Sequence, residues 1–144
     1  MTGFRLLLVI CFIAFSAGMS WAERLTVKTT IANIRSGPGT QYDVLWQAER
    51  YYPIQVLRTS GPWYYFSDFE GDTGWIHRSL LARIPSVITH KDKANVRSGP
   101  GAKYKIRMQI GKGIPFRVLG RKDNWVHVKH GDGDEGWIYS SLLW

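Results

Sequence analysis

The residues with the widest chemical reach in this 144-residue sequence are aromatic rings set beside polar side chains. In Trp125-Val126-His127-Val128-Lys129 apolar and polar residues alternate, so Trp125, His127 and Lys129 share one face of an extended strand and the two valines share the other. Trp63 shares a face with Tyr65 in the same way. A flat ring beside hydrogen-bonding groups suits stacking on a sugar ring or a peptide plane. The competing reading is that this face packs against a loop or another part of the chain. Arg35 and Arg97 each stand directly before a Ser-Gly-Pro-Gly turn. There a guanidinium either braces the turn through carbonyl hydrogen bonds or faces an anionic ligand. Trp63, Tyr65, Trp125, His127, Lys129, Arg35 and Arg97 are therefore the candidate ligand contacts.

Metal and catalytic chemistry find less support. His127 and His130 lie three apart on or near a strand, which alternation places on opposite faces, and no third ligand is evident. Asp132-Gly133-Asp134-Glu135, echoed by Glu70-Gly71-Asp72, has part of a calcium loop but lacks the later Glu at the required spacing. It reads as a hairpin turn. There is no Gly-x-Ser-x-Gly, no phosphate-binding glycine loop and no carboxylate pair recognisable by position. The one cysteine, Cys11, lies in an apolar N-terminal segment. No enzyme activity, metal or cofactor is expected.

The elements that must position these residues are strands, and they occur twice. Ala32-Asn33-Ile34-Arg35-Ser36-Gly37-Pro38-Gly39 returns 62 residues later as Ala94-Asn95-Val96-Arg97-Ser98-Gly99-Pro100-Gly101. At the same offset Tyr42 meets Tyr104, Val56-Leu57 meets Val118-Leu119, Trp63 meets Trp125, Gly74-Trp75-Ile76 meets Gly136-Trp137-Ile138, and Ser79-Leu80-Leu81 meets Ser141-Leu142-Leu143. No gap is needed, and 21 of 50 aligned positions are identical. Period-two runs such as Tyr52, Ile54, Val56 and Ile114, Phe116, Val118, broken by Gly-rich turns, predict about five short strands per copy and no helix of note. The glycines of the Ser-Gly-Pro-Gly turns are expected to supply positive φ. Trp75 and Trp137, each between a Gly and a core Ile, are expected to serve structure. The expected architecture is all-β, with two tandem small barrels at 23–82 and 87–144 joined by a short linker at 83–86. Units of this size are marginal alone, so the two should share an interface.

These motifs resemble the bacterial SH3 (SH3b) family. Asn33-Ile34-Arg35-Ser36-Gly37-Pro38-Gly39, Val56-Leu57, Trp63 and Gly74-Trp75-Ile76-His77 with Leu80-Leu81 carry the resemblance, and the second copy repeats these elements over the rest of the chain to 144. The resemblance implies SH3-like barrels and a binding role, often towards peptidoglycan or envelope proteins, without catalysis. The chain is also similar to small exported proteins of Gram-negative bacteria built from two such domains. Eukaryotic relatives bind proline-rich peptides through an acidic loop and a Pro-x-x-Tyr segment. The first is replaced here by the Arg-Ser-Gly-Pro-Gly turn, and at the second stand His77 and Leu80, or Tyr139 and Leu142. Trp63 and Trp125 match the position of the ligand-binding Trp of those relatives.

Arg5, the ten apolar residues Leu6 to Phe15 and the Ser20-Trp21-Ala22 triplet read as a secretory signal over residues 1–22, too short to span a bilayer. The expected product is exported, periplasmic or otherwise extracytoplasmic, with no cysteine and no stable membrane span. The whole chain carries 19 Lys and Arg against 11 Asp and Glu, a net +8. Residues 23–84 are nearly balanced at +1, whereas residues 85–144 hold 11 basic and 5 acidic residues, a net +6. The basic second copy is either a solvated surface or a contact for an anionic envelope polymer. The ring-rich first copy, with Trp46, Tyr51, Tyr52, Tyr64, Tyr65, Phe66 and Phe69, suits apolar contact with a partner or with the second copy. Export argues against nucleic acid as a partner. The expectation is a non-catalytic protein that binds cell-wall peptidoglycan, with an adaptor docking onto an envelope protein as the alternative; the sequence leaves the oligomeric state open.

Overall fold

The computed structural model describes residues 23–144. The signal segment expected at 1–22 lies outside the described residues. Glu23–Val27 (β1), Ile31–Arg35 (β2), Val44–Glu49 (β3), Pro53–Ser60 (β4), Trp63–Ser67 (β5), Thr73–His77 (β6) and Leu81–Ala82 (β7) form one antiparallel sheet in the order β3-β2-β6-β5-β4-β1-β7. Ser86–Ile88 (β8), Ala94–Arg97 (β9), Ile106–Ile110 (β10), Pro115–Lys122 (β11), Trp125–Lys129 (β12) and Glu135–Tyr139 (β13) form a second in the order β10-β9-β13-β12-β11-β8. Each sheet curls around its own core. The only helical pieces among the described residues are single 3-10 turns, Arg78–Leu80 and Ser140–Leu142.

Alternation positions the cores as expected: Val126 and Val128 of β12 are buried while Trp125, His127 and Lys129 are half-exposed. Two β-bulges in each repeat interrupt this pattern at equivalent places. β4 shifts register against β5 between Val56 and Arg58, and β11 shifts against β12 between Val118 and Gly120. The extra residue, Leu57 or Leu119, turns outward and is about half exposed, at 51% and 42%. Leu45 and Arg107 occupy the corresponding extra positions in β3 and β10.

Glycine roles differ from the sequence expectation. None of the glycines in the two Ser-Gly-Pro-Gly turns has positive φ. A Cβ on Gly37 or Gly99 would instead overlap the ring of Tyr42 or Tyr104, which lies across the turn. The left-handed positions are elsewhere. Gly113 (φ 85°) stands where the first repeat has Tyr51 (φ 73°), and Gly61 (φ 57°) stands where the second has Asp123 (φ 50°). Each repeat thus keeps a glycine at one strained turn and a side chain at the other. Gly74 and Gly136 serve close approach: a Cβ on Gly136 would overlap Val96 and lie 3.0 Å from the Arg97 carbonyl oxygen of β9.

The first core carries a polar anchor with no counterpart in the second. The Tyr52 hydroxyl donates to Asp68 Oδ2 at 2.8 Å. Asp68 Oδ1 accepts the backbone N–H groups of Glu70 and Asp72, each at 3.0 Å, and so shapes the β5–β6 turn. Burial first, then the hydrogen bond and charge of Asp68, with smaller charge effects of Glu70 and Asp72, push the Tyr52 pKa well above the ordinary tyrosine value. Trp46 and Phe69 pack edge-on against the Tyr52 ring, at 5.1 and 6.4 Å between centroids.

The two barrels share an interface, and β8 belongs to both. Val87 enters the second core while the next residue, Ile88, is buried in the first. Trp144 also packs on the first core, its backbone paired with Ile88 by hydrogen bonds of 2.9 and 3.1 Å. The Arg24 guanidinium of β1 lies 4.1 Å over the Trp144 ring and donates to the Ser86 carbonyl (3.1 Å) and to the main-chain oxygen of Trp144 (2.9 Å). Thr26 donates to the Ile84 carbonyl at 2.6 Å, which leaves the buried Ser86 hydroxyl to donate to Thr26 Oγ1, also at 2.6 Å. Elsewhere on the interface Lys112 pairs with Glu70 at 3.6 Å, His130 faces Glu49 at 3.5 Å, and Phe69 reaches the Gly113 turn.

Three stability predictions follow from this packing. Gly136→Ala should destabilise the protein by about 1–3 kcal/mol in urea unfolding, because the new methyl overpacks the β13–β9 crossing. Tyr52→Phe should cost about 1 kcal/mol at neutral pH. A raised folded pKa means that the tyrosine's contribution is intact below the ordinary value of 10.0 and fades as pH rises above it. The wild type should accordingly lose its advantage over Tyr52→Phe in alkaline melts. Trp144→Ala should remove about 2–4 kcal/mol, read as a lower melting temperature, since it uncovers the first core and strips the support from Arg24.

Candidate functional site

Both repeats present the same groove, built at the same places in each sheet. In the first, β2 supplies Asn33 and Arg35, β3 supplies Gln47, β5 supplies Trp63, β6 supplies His77, and the 3-10 turn supplies Leu80, around a cavity of about 390 Å³. In the second, Asn95, Arg97, Gln109, Trp125, Tyr139 and Leu142 enclose about 360 Å³. Every one of these residues stands 62 positions from its counterpart. Strand alternation turns them outward, away from Ala32, Ile34 and Phe66 in the first barrel and from Ala94, Val96 and Val126 in the second.

The polar wiring is duplicated as well. Gln47 Nε2 donates to Asn33 Oδ1 at 2.9 Å, and Gln109 Nε2 donates to Asn95 Oδ1 at the same distance. Arg35 Nη1 donates to the carbonyls of Thr40 and Tyr42 at 3.1 and 3.0 Å. Arg97 Nη1 does the same to Ala102 and Tyr104 at 2.9 and 3.0 Å. Both arginines thus brace their turns, the first of the two roles considered from sequence, and their side chains also line the grooves. Trp63 is held edge-on by His77, 5.1 Å between centroids, and Trp125 by Tyr139 at 5.4 Å. His77 is itself fixed, with Nδ1 2.7 Å from Ser79 Oγ. Each tryptophan is half-exposed along one wall, an apolar plane facing fixed amide and guanidinium groups.

The rims differ. At the outer edge of the groove the first repeat places Ile31, 56% exposed, and the second places Lys93. His77 becomes Tyr139 in the second copy. The first groove is therefore bounded by an apolar side chain and the second by a cation.

The seven candidates divide into two groups. Trp63, Arg35, Trp125 and Arg97 line the grooves. Tyr65, His127 and Lys129 lie further along the same outer face with partners of their own. Tyr65 packs on Trp75 at 5.1 Å, and the Arg58 guanidinium lies 4.6 Å over its ring. His127 stacks flat on Trp137 at 4.7 Å, with Nε2 3.5 Å from Glu135. Lys129 reaches the same carboxylate at 3.9 Å. Trp75 and Trp137 therefore serve as platforms beneath these side chains: Trp75 is buried, at 9% exposure, and Trp137 half-buried, and neither joins the two main core clusters.

Asn33, Gln47, Leu80 and their counterparts, with His77 and Tyr139 as ring supports, are not among the candidate ligand contacts read from sequence, although His77, Leu80, Tyr139 and Leu142 stand at the ligand-segment position of the eukaryotic relatives. The signal was available for Asn33/Asn95 and Gln47/Gln109, identical polar residues at the 62-residue offset. The Asp132 turn uses its carboxylate internally, accepting the Asp134 N–H at 2.9 Å. That bond and the contact with His130 hold the Asp132 pKa below its usual value. Among the described residues no helix is long and apolar enough to cross a membrane.

Comparison with known proteins places the sequence in a family. The chain is 22% identical over 94% of its length to YrvJ of Bacillus subtilis, provisionally named an N-acetylmuramoyl-L-alanine amidase, and covers 30% of that protein. It is 36% identical over 52 residues to LytH of Staphylococcus epidermidis, provisionally named a cell wall amidase, covering 35% of this chain and 18% of that one. The chain thus spans less than a third of the curated relatives it matches. A crystal structure of an NlpC/P60 family protein from Bacillus cereus superposes with a TM-score of 0.40 at 13% identity, over 85% of this chain and 56% of that one. The family model for the bacterial SH3 domain matches residues 28–82 and again residues 90–144, so the chain belongs to the bacterial SH3 domain family as a tandem pair.

Proposed function

We propose that this protein is an exported, non-catalytic binding protein that associates with peptidoglycan in the cell envelope through its two equivalent grooves. The observation that carries the reading is the duplicated groove itself. A half-exposed tryptophan, a fixed Asn–Gln pair and a turn-bracing arginine recur in both repeats with matching partners. An apolar plane beside oriented amides suits the alternating sugar faces and peptide bonds of a wall polymer. The relatives provisionally named wall amidases support the same ligand class, although this chain matches under a third of each. Two weak sites 62 residues apart on one rigid pair would reinforce each other on a repeating polymer. The basic second repeat, with Lys93 at its groove, adds attraction to an anionic wall.

A second reading has its own observation. Val44 (45% exposed) and Leu45 (55%) lie on the edge strand β3 of the first sheet. An apolar edge of this kind suits an envelope protein as docking partner.

Sedimentation with purified sacculi separates the two. Wild type should pellet, and Trp63→Ala or Trp125→Ala should each weaken retention about tenfold, the order expected from losing a stacked ring. Retention should fall further as salt is raised, chiefly through the second repeat. Wild type left in the supernatant at low salt would overturn wall binding in favour of the adaptor.

A further inference from the structure

The two grooves share five lining residues and differ in charge at one end. Asn33, Arg35, Gln47, Trp63 and Leu80 recur unchanged as Asn95, Arg97, Gln109, Trp125 and Leu142, so what they contribute to binding is common to both repeats. Ile31, however, lines the first groove where Lys93 lines the second. Neither lining contains an acid.

Lys93 is free to act on a ligand. It is exposed, and among the described residues no carboxylate, that of its neighbour Asp92 included, lies within ion-pair distance of its ammonium group. Arg97, the other cation of this groove, already gives Nη1 to the Ala102 and Tyr104 carbonyls. It closes β9 at the turn, whereas Lys93 stands just before β9 begins. Four residues of extended chain, about 13 Å, separate the two. The cations thus mark opposite ends of the groove, and Lys93 is the one that the first repeat lacks.

The neighbouring strand widens the contrast. Glu49 of β3 pairs directly with Ile31, and directly opposed residues of an antiparallel pair share a face. Its counterpart 62 positions on is Gly111. An anionic ligand group therefore meets a carboxylate beside the first rim and an ammonium group at the second.

We propose that the second groove selects the free-carboxylate part of the wall polymer, with Lys93 pairing the carboxylate while a sugar ring or peptide plane lies on Trp125. The first groove, with Ile31 in that place, takes an uncharged stretch. This assignment rests on the wall-binding reading and sorts the two grooves by ligand. The sugars of peptidoglycan are neutral and its charge resides in the carboxyl groups of its peptides, so the two grooves engage different parts of one polymer. An exposed ion pair changes affinity only about twofold to fivefold, which is enough to set a preference between two otherwise matched grooves.

The test compares pelleting with native sacculi and with sacculi whose carboxyl groups have been converted to neutral amides, at one low salt concentration. Amidation should lower wild-type retention about threefold. Lys93→Gln should bind native sacculi about threefold more weakly and lose most of the response to amidation, and Lys93→Arg should keep that response. Arg117→Gln removes the same charge from an exposed position on β11 outside both grooves and should respond as wild type does. Trp125→Ala should lose the response along with the stacked ring, whereas Trp63→Ala should bind more weakly yet keep it. Wild type that fails to pellet with native sacculi ends the wall-binding reading and this assignment with it. Wild type that pellets equally with both preparations, or Lys93→Gln that responds to amidation as fully as wild type, refutes the assignment and leaves wall binding standing.

Discussion

A barrel of some sixty residues buries only about 60% of the surface its unfolded chain exposes and is marginal alone. In this protein the remedy is a strand used twice. Val87 and Ile88, neighbours on β8, point into different cores, so the strand that begins the second barrel also lids the first. Trp144 completes the lid by pairing with Ile88, and the Arg24 guanidinium fastens the lid from outside. The relative placement of the two grooves depends on that shared strand. Separating the repeats would uncover Ile88 and part of the first core, which makes the tandem pair one folding problem more than two.

Duplication followed by divergence left a legible division of roles. The groove floors and the turn braces are the same in both copies: the Gln–Asn bonds are both 2.9 Å, and the Arg35 and Arg97 braces are 3.1 and 2.9 Å. Change has accumulated where it does not disturb them. The Tyr52–Asp68 anchor in the first core gives way to Ile114 and His130 in the second, and the latter faces Glu49 across the interface. The rims diverge from Ile31 to Lys93, and the basic excess collects in the second copy. One repeat thus presents an apolar groove edge and the other a cationic one.

Several elements show why part of this was readable from residues alone. Alternation in β12 correctly separates Val126 and Val128 from Trp125 and His127, because a strand's side-chain period is a local property. The bulges at Leu57 and Leu119 are not readable, since an extra residue is defined only against the partner strand. The same limit applied to the Ser-Gly-Pro-Gly glycines. Their purpose is room for the Tyr42 and Tyr104 rings, a contact across the turn, where backbone preference alone suggests positive φ. His127 and Lys129 look like free polar groups beside a tryptophan until β13 places Glu135 opposite them.

By itself the sequence determines that this is an all-β chain of two related units, which outward rings and arginines each unit carries, and that the charge excess lies in the second unit. Those are properties of spacing and composition, carried by residues near one another along the chain. The tertiary structure decides which outward residues converge on a groove, which are consumed by neighbours, and how the units dock. Those outcomes depend on pairings between strands far apart in sequence. Arg24 and Arg121, 97 positions apart, line one cleft only after both barrels have closed and β8 has joined them.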